Sequence, residues 1–259
     1  MKLHTIPGHI QSIYLAEYPD KLLLLDGGCR ADIEPLVAYI ENELGRSIHD
    51  LKAVVVTHMH PDHAGAANML RQRYGTKIIA GDQPGQWYQG VAGILMHWMD
   101  LLLATYVASR KGSRFKNLWY SRHLFPDIKL GDGEVIPEFE DWQVWHTVGH
   151  TDRDLTLCHQ PTRLLYVADL IVALKHKYVA PFPVFLPHQY RYSLKRVYEY
   201  QPQTLLLAHQ GEMAFDQEAY EGLLKSSPRF RVTHWWVIRT KGWALVRGFL
   251  NRNKNKRQS

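Results

Sequence analysis

VVVTHMHPDHAG, residues 54–65, sets three histidines and an aspartate within six positions, one residue after three valines. With Leu51 and Ala53 ahead of them, the valines read as a short, continuously apolar strand. His58 and His60 are two apart, so on extended backbone their rings project to one side and can grip a single ion. Pro61 keeps a helix from starting earlier and lets Asp62 open it, where the positive end of the dipole favours an anion. Asp62 and His63 are displaced from the first pair and suit a second ion better. An HxHxDH run at a strand end is a dense metal-ligand pattern.

Working outward, HIQSIYLAEYPDKLLLLDGG reads as two strands joined by a turn at Pro19 and Asp20, the second ending in Asp26, Gly27 and Gly28. ADIEPLVAYIENELG then has apolar residues at Leu36, Val37, Ile40 and Leu44, the helical spacing, with Gly45 as a stop. Past the histidine cluster, GAANMLRQRYG is helical and TKIIAGD is another strand. Residues 84–125 interrupt this rhythm. Within them VAGILMHWMDLLLATYVA is apolar nearly all round a helix, with His97 and Asp100 as its strongly polar members. Three readings of this insert stay open: a membrane span, which Asp100 opposes; a buried or dimer-forming helix; or a lid that gives a substrate an apolar wall. Further on, GEVIPEFEDWQVWHTVGHT and DLTLCHQPTRLLYVADLIVA alternate like strands, YSLKRVYEYQP is a helix, and TLLLAHQGE is one more strand.

A chain of 259 residues, 46% of them hydrophobic, is long enough for a substantial core. The N-terminus lacks the features of a secretory signal, so a cytoplasmic location is expected. The two cysteines, Cys29 and Cys158, form no CxxC pattern, so any metal must be held by His and carboxylate. The net charge of +6 is uneven: residues 222–259 hold ten Lys or Arg and no acid, while residues 1–221 carry a net −4. We therefore divide the chain into a domain over 1–221, with the insert at 84–125, and a basic extension over 222–259. That extension interleaves Trp235, Trp236 and Trp243 with cations, a mixture that could meet nucleic acid or an anionic membrane.

Side chains at the carboxyl ends of neighbouring strands share one space. Four such ends carry ligand-type groups: His58, His60, Asp62 and His63; His150; Asp169; and His209. Seven groups suffice for two ions. The ordered set THMHPDHAG, VGHTDRDLTL, YVADLIVA and LLLAHQGE resembles the metallo-β-lactamase superfamily over nearly the whole of residues 1–221. The resemblance implies an α/β (α+β) fold, a four-layered αββα sandwich with the site at one edge of the paired sheets. It implies His58, His60 and His150 on one ion, Asp62, His63 and His209 on the other, and Asp169 between them. Asp26 matches the family's early Asp, which supports the ligands from behind. Two departures are Ala208 and Ala168, where the family usually has Gly before the last His and a Gly or similar small residue before the bridging Asp.

Two close cations lower the pKa of a shared water and so generate a bridging hydroxide, with Asp62 placed to orient it and pass its proton on. The expected activity is hydrolysis of a small ester, lactone or thioester with an apolar portion. Zinc suits imidazole and carboxylate, and iron or manganese fit the same ligands. The bridging Asp169 sets the chain apart from true metallo-β-lactamases, and Val172 replaces the Tyr characteristic of acyl homoserine lactonases. A nuclease or phosphodiesterase guided by the basic extension, and a mononuclear iron sulfur dioxygenase, are the rival activities. Substrate contacts are expected from the insert and from Lys175, His176, Tyr178 and His188 in the loop after Asp169. On the second reading of the insert, a homodimer would form through it; nucleic acid or an anionic membrane surface are the further partners the basic extension could meet.

Overall fold

The computed structural model describes residues 1–174 and 177–237. Lys175, His176, and the extension beyond Val237, including Trp243, lie outside the described residues. Two six-stranded sheets dominate the described part. The first runs in the order β1 (Lys2–Pro7), β2 (Ser12–Glu17), β3 (Leu22–Leu24), β4 (Leu51–Val56), β5 (Lys77–Gly81) and β6 (Ile128–Leu130). The first three strands are antiparallel neighbours and the last four are parallel. The second sheet contains β7 (Val135–Ile136), β8 (Phe139–His146), β9 (Leu155–His159) and β10 (Leu164–Tyr166), then β13 (Thr204–Leu207) and β14 (Gly211–Met213). Only its β10 and β13 are parallel. A separate hairpin, β11 (Val172–Leu174) and β12 (Lys177–Val179), follows Asp169.

The period-2 alternation of strands decides which layer each residue enters. Ile13, Leu15, Leu22, Leu24, Val54, Val56 and Ile78 face outward from the first sheet, onto α1 (Ile33–Ala38) and α3 (Ala67–Tyr74). Tyr14, Ala16, Leu23, Leu25, Val55 and Ile79 alternate with them and meet Trp142, Val144, Leu157 and Tyr166 of the second sheet. The far side of that sheet packs Leu165, Leu205 and Leu207 against α5 (Pro187–Tyr200) and α6 (Gln217–Ser226). Helix, sheet, sheet and helix thus make the four-layered αββα sandwich that the resemblance implied.

The sheets are also joined by backbone at one edge, where Ser12 N donates to Ala208 O (2.7 Å) and Leu155 N donates to Thr57 O (3.1 Å). At that edge β4 runs into the four-residue α2 (Pro61–Ala64), with Pro61 at its first turn as its fixed φ allows. The loop after β3 presses against α2: a Cβ on Gly27 would come within 2.3 Å of His63 O, so only glycine permits the approach.

Helix α4 (Gly90–Arg110) fills the insert and α7 (His234–Val237) ends the described chain. The division drawn at 221/222 falls inside α6, whose Leu223 is buried in the third core. Val232 also exchanges backbone hydrogen bonds with Val184, so the described part of the basic segment is built into the domain rather than appended to it.

Candidate metal centre

All seven residues singled out in the sequence meet at the edge where the sheets are joined. The loop after β4 brings His58 and His60, α2 brings Asp62 and His63, and the turn between β8 and β9 brings His150. Asp169 follows β10 and His209 follows β13. Their ligand-type atoms fall into two groups that could each hold an ion: His58, His60, His150 and Asp169, and Asp62, His63 and His209.

In the first group, His60 Nδ1 lies 3.1 Å from His58 Nε2 and 2.9 Å from His150 Nε2. The far nitrogens show why these atoms face inward. His150 Nδ1 donates to Pro183 O at 2.5 Å, and His58 Nδ1 sits 3.3 Å from Thr57 Oγ1, leaving both Nε2 lone pairs pointing at His60. Burial drives the His58 pKa well below the ordinary histidine value, helped by the neighbouring imidazoles, and drives that of His60 down to about 4. Both rings are therefore neutral at pH 7, the form that coordinates a metal.

In the second group, His63 Nε2 lies 3.9 Å from Asp62 Oδ2, and His209 Nε2 lies 3.6 Å from the same oxygen. Asp169 stands between the groups with its oxygens divided. Its Oδ2 is 4.0 Å from His58 Nε2 and 3.7 Å from His150 Nε2, while its Oδ1 is 3.4 Å from His63 Nε2 and 3.2 Å from His209 Nε2. Burial opposes a charged His63, but Asp26, Asp169 and Asp62 outweigh it and raise its pKa well above the ordinary value. At His209, burial is likewise outweighed, chiefly by Asp169. Burial opposes ionisation of Asp169 too, and the facing His63 and His209 overcome it and lower its pKa.

Buried His60 Nε2 has no hydrogen-bond partner, and His63 Nε2 and Asp169 Oδ1, though 3.4 Å apart, are not aligned for one. Leaving such atoms unpaired is costly unless something else binds them. Two imidazole-carboxylate sets with inward lone pairs fit a pair of divalent cations. Ala168, just before Asp169, holds φ at +45°, a left-handed conformation that a Cβ resists. That turn aims Asp169 at both groups.

Asp26, at the end of β3, anchors the second group from behind. Its Oδ1 accepts from Gly27 N (3.0 Å) and Thr57 N (3.2 Å). Its Oδ2 accepts from His63 Nδ1 (2.6 Å), Thr57 Oγ1 (2.7 Å) and Tyr166 OH (2.9 Å). The Asp26 contact fixes a proton on His63 Nδ1 and leaves Nε2 as the nitrogen that can give up its proton to a metal.

The sequence reading gave no role to a further carboxylate, Asp100 of α4. It is buried, accepts from Tyr88 OH at 2.8 Å, and lies 2.9 Å from His234 Nε2 of α7 and 3.9 Å from His60 Nε2. Burial opposes its ionisation, yet His60, His234 and the Tyr88 hydroxyl together lower its pKa. The signal in the sequence was an acid inside an otherwise apolar helix. Its partner His234 stands 134 positions away and carried none.

A cavity of about 350 Å³ opens over the cluster, with His60, Asp62, Asp169 and His209 on its floor. Leu103, Ala104 and Val107 of α4 form an apolar wall, and Phe182 another part of the lining. The insert thus occupies the place expected of a lid. Lys111 is the cation of the lining; its ammonium reaches Ile10 O, and burial lowers its pKa against the pull of Asp62 and Asp169. Two of the residues expected to touch substrate are turned elsewhere. Tyr178 donates its hydroxyl to Ala214 O and packs on Phe215, away from the cluster, while the next residue of β12, Val179, lines the cavity. His188 is exposed near the start of α5.

An αββα sandwich with imidazoles and carboxylates gathered at one joined sheet edge defines a metallo-hydrolase fold. Residues 6–209 match the model of the metallo-beta-lactamase superfamily, and the chain belongs to that superfamily. A hydroxyacylglutathione hydrolase of Chromohalobacter salexigens is 40% identical over 63 residues, which are 24% of this chain and 22% of that enzyme's length. The probable metallo-hydrolase YflN of Bacillus subtilis is 21% identical over 190 residues, covering 69% of this chain and 67% of its own. Among solved structures, a metallo-beta-lactamase family protein of Thermus thermophilus superposes with a TM-score of 0.66 at 22% identity, over 86% of this chain and 78% of that one. TTHA1623, crystallised in a di-iron-bound form, gives a TM-score of 0.56 at 18% identity, over 89% of this chain and all of that one.

Proposed function

We propose that the protein is a dinuclear metal-dependent hydrolase of a small ester, lactone or thioester. The observation that carries this reading is the division of Asp169, whose two oxygens face the two groups of ligand-type atoms separately. In this reading His58, His60 and His150 would hold one ion and Asp62, His63 and His209 the other, with Asp169 placed to serve both. A bound pair of divalent ions supplies an activated water and polarises the oxygen under attack. Zinc suits these ligands; the di-iron form of TTHA1623 makes iron the first alternative.

The chain's own groups do the rest. The wall formed by Leu103, Ala104 and Val107 takes up the apolar part of a substrate and excludes water from one side of the reacting bond. Asp62 stands at the cavity floor, where a carboxylate can hold a proton and pass it to a leaving oxygen, nitrogen or sulfur. The partial match to a hydroxyacylglutathione hydrolase supports thioesters as the first substrates to try. Both cysteines are unpaired and buried, which accords with action in the reducing cytoplasm.

The test is a panel of thioesters, aryl esters, lactones and phosphodiesters, assayed with full-length protein loaded with zinc, iron or manganese. One carbonyl class should be hydrolysed, and His58→Ala should reduce that rate by at least about a thousandfold. Metal-loaded protein inactive on every carbonyl substrate, or activity that survives His58→Ala, would overturn the proposal.

A further inference from the structure

Helix α4 presents two different sides. Gly93, His97, Asp100, Ala104 and Ala108 form a buried stripe against the domain. On the opposite side Val91, Leu95, Trp98, Leu102 and Tyr106 are between 48% and 75% exposed. Their spacing of four, three, four and four makes one continuous apolar line about 22 Å long. Phe115 and Trp119, 84% and 47% exposed, extend it, with the Trp119 ring 5.3 Å from that of Trp98. So long a patch on a water-soluble surface ordinarily marks an interaction site.

Its charge tells what it meets. Between Gln83 and Pro126 the sequence has five Lys or Arg, and its sole acid is the buried Asp100. Arg110, Arg114 and Lys116 are exposed where the apolar line ends. Trp235, 48% exposed, shares a surface groove with Ala92, Gly93 and Met96 of the same helix. Directly after it, the sequence from 238 to 259 adds seven cations and no acid. Exposed Trp and Tyr, an apolar line and cations without acids are what an anionic bilayer surface selects.

We propose that the outer face of α4 docks the protein flat on an anionic lipid surface, its apolar line among the acyl chains and its cations over the headgroups. At 21 residues with a mean hydropathy of 1.5, α4 is long and apolar enough to cross a membrane. Its inner stripe argues for lying along the interface instead, because Asp100 is held inside the domain by Tyr88 and His234. A second copy is a poorer occupant. A two-fold interface offers the patch only to itself, so its cations would find no acidic partner.

The test is flotation of the full-length protein with vesicles of phosphatidylcholine alone or with about one-third phosphatidylglycerol. Wild type should bind the anionic vesicles at least about tenfold more tightly, less so as salt rises. Trp98→Glu with Leu102→Glu should lose at least about tenfold in binding while keeping the wild-type circular dichroism spectrum. Arg110→Glu with Arg114→Glu should lose it too, with a smaller salt dependence. The proposal is overturned if wild type ignores the anionic vesicles. It is equally overturned if Trp98→Glu with Leu102→Glu binds like wild type, since the basic tail alone would then suffice. A wild-type dimer that Leu102→Glu converts to monomer, with no vesicle binding, would assign the face to a second copy instead.

Discussion

Replacing Asp26 by asparagine changes one atom and, on the proposed dinuclear reading, should weaken binding of the ion at Asp62, His63 and His209. The carboxylate receives five hydrogen bonds, two at Oδ1 from backbone N–H groups and three at Oδ2 from side chains. An asparagine must turn its NH2 toward one of these sets. The backbone donors of Gly27 and Thr57 cannot become acceptors, so the amide oxygen stays with them and the NH2 meets the other three groups. The Thr57 and Tyr166 hydroxyls can rotate to accept. His63 can accept only by moving its proton from Nδ1 to Nε2, the atom that faces Asp62 and Asp169. A protonated Nε2 is no ligand. Loss of a group supporting a metal-bound histidine typically weakens the metal about 10- to 100-fold, about 1.4–2.7 kcal/mol. Calorimetric metal titration should show the weaker of two binding steps shifted by that amount and the tighter step unchanged. Two steps with both affinities within about threefold of wild type would refute the tautomer argument.

Proton release should differ between the steps. His58 and His60 have lowered pKa values, that of His60 about 4, so they are already neutral near pH 7 and should release no protons there when an ion binds. His63 and His209 have raised pKa values, so an ion at the second group competes with their protons and should bind more tightly as pH rises; calorimetry in buffers of different ionisation enthalpy checks both signs. Asp100→Ala leaves His234 and Tyr88 buried without their shared carboxylate and should destabilise the fold by about 3 kcal/mol, with Asp100→Asn recovering part of it in urea unfolding. Gly27→Ala drives a methyl into His63 O and should cost about 1–3 kcal/mol in the same assay, together with metal affinity at the second group.

The parts of this molecule that could be read from the sequence are those whose physics is local. The run of valines before His58 sits in a strand covered on both faces, so it shows as unbroken hydrophobicity, and the histidines follow within one turn of chain. His150, Asp169 and His209 were readable because each terminates a strand or lies in a turn at the same sheet edge. Short elements were less visible. β1 alternates buried and exposed residues with His4 among the buried ones, and β14 is three largely polar-facing residues. Asp100 shows the limit most clearly, because its environment is made by Tyr88, His60 and His234 from three separate segments. Tyr178 failed for the same reason. Chosen as a polar residue in a loop after a ligand, it turns to Ala214 O and Phe215, a placement decided by packing across 36 positions.

Anomalous diffraction from crystals of the full-length protein, grown with zinc and measured on both sides of the metal edge, tests the central claim most directly. Two peaks about 3.5–4 Å apart are expected, one among His58, His60 and His150, the other among Asp62, His63 and His209, with Asp169 touching both. A single peak, or peaks that leave either set of imidazoles without a metal, would contradict it.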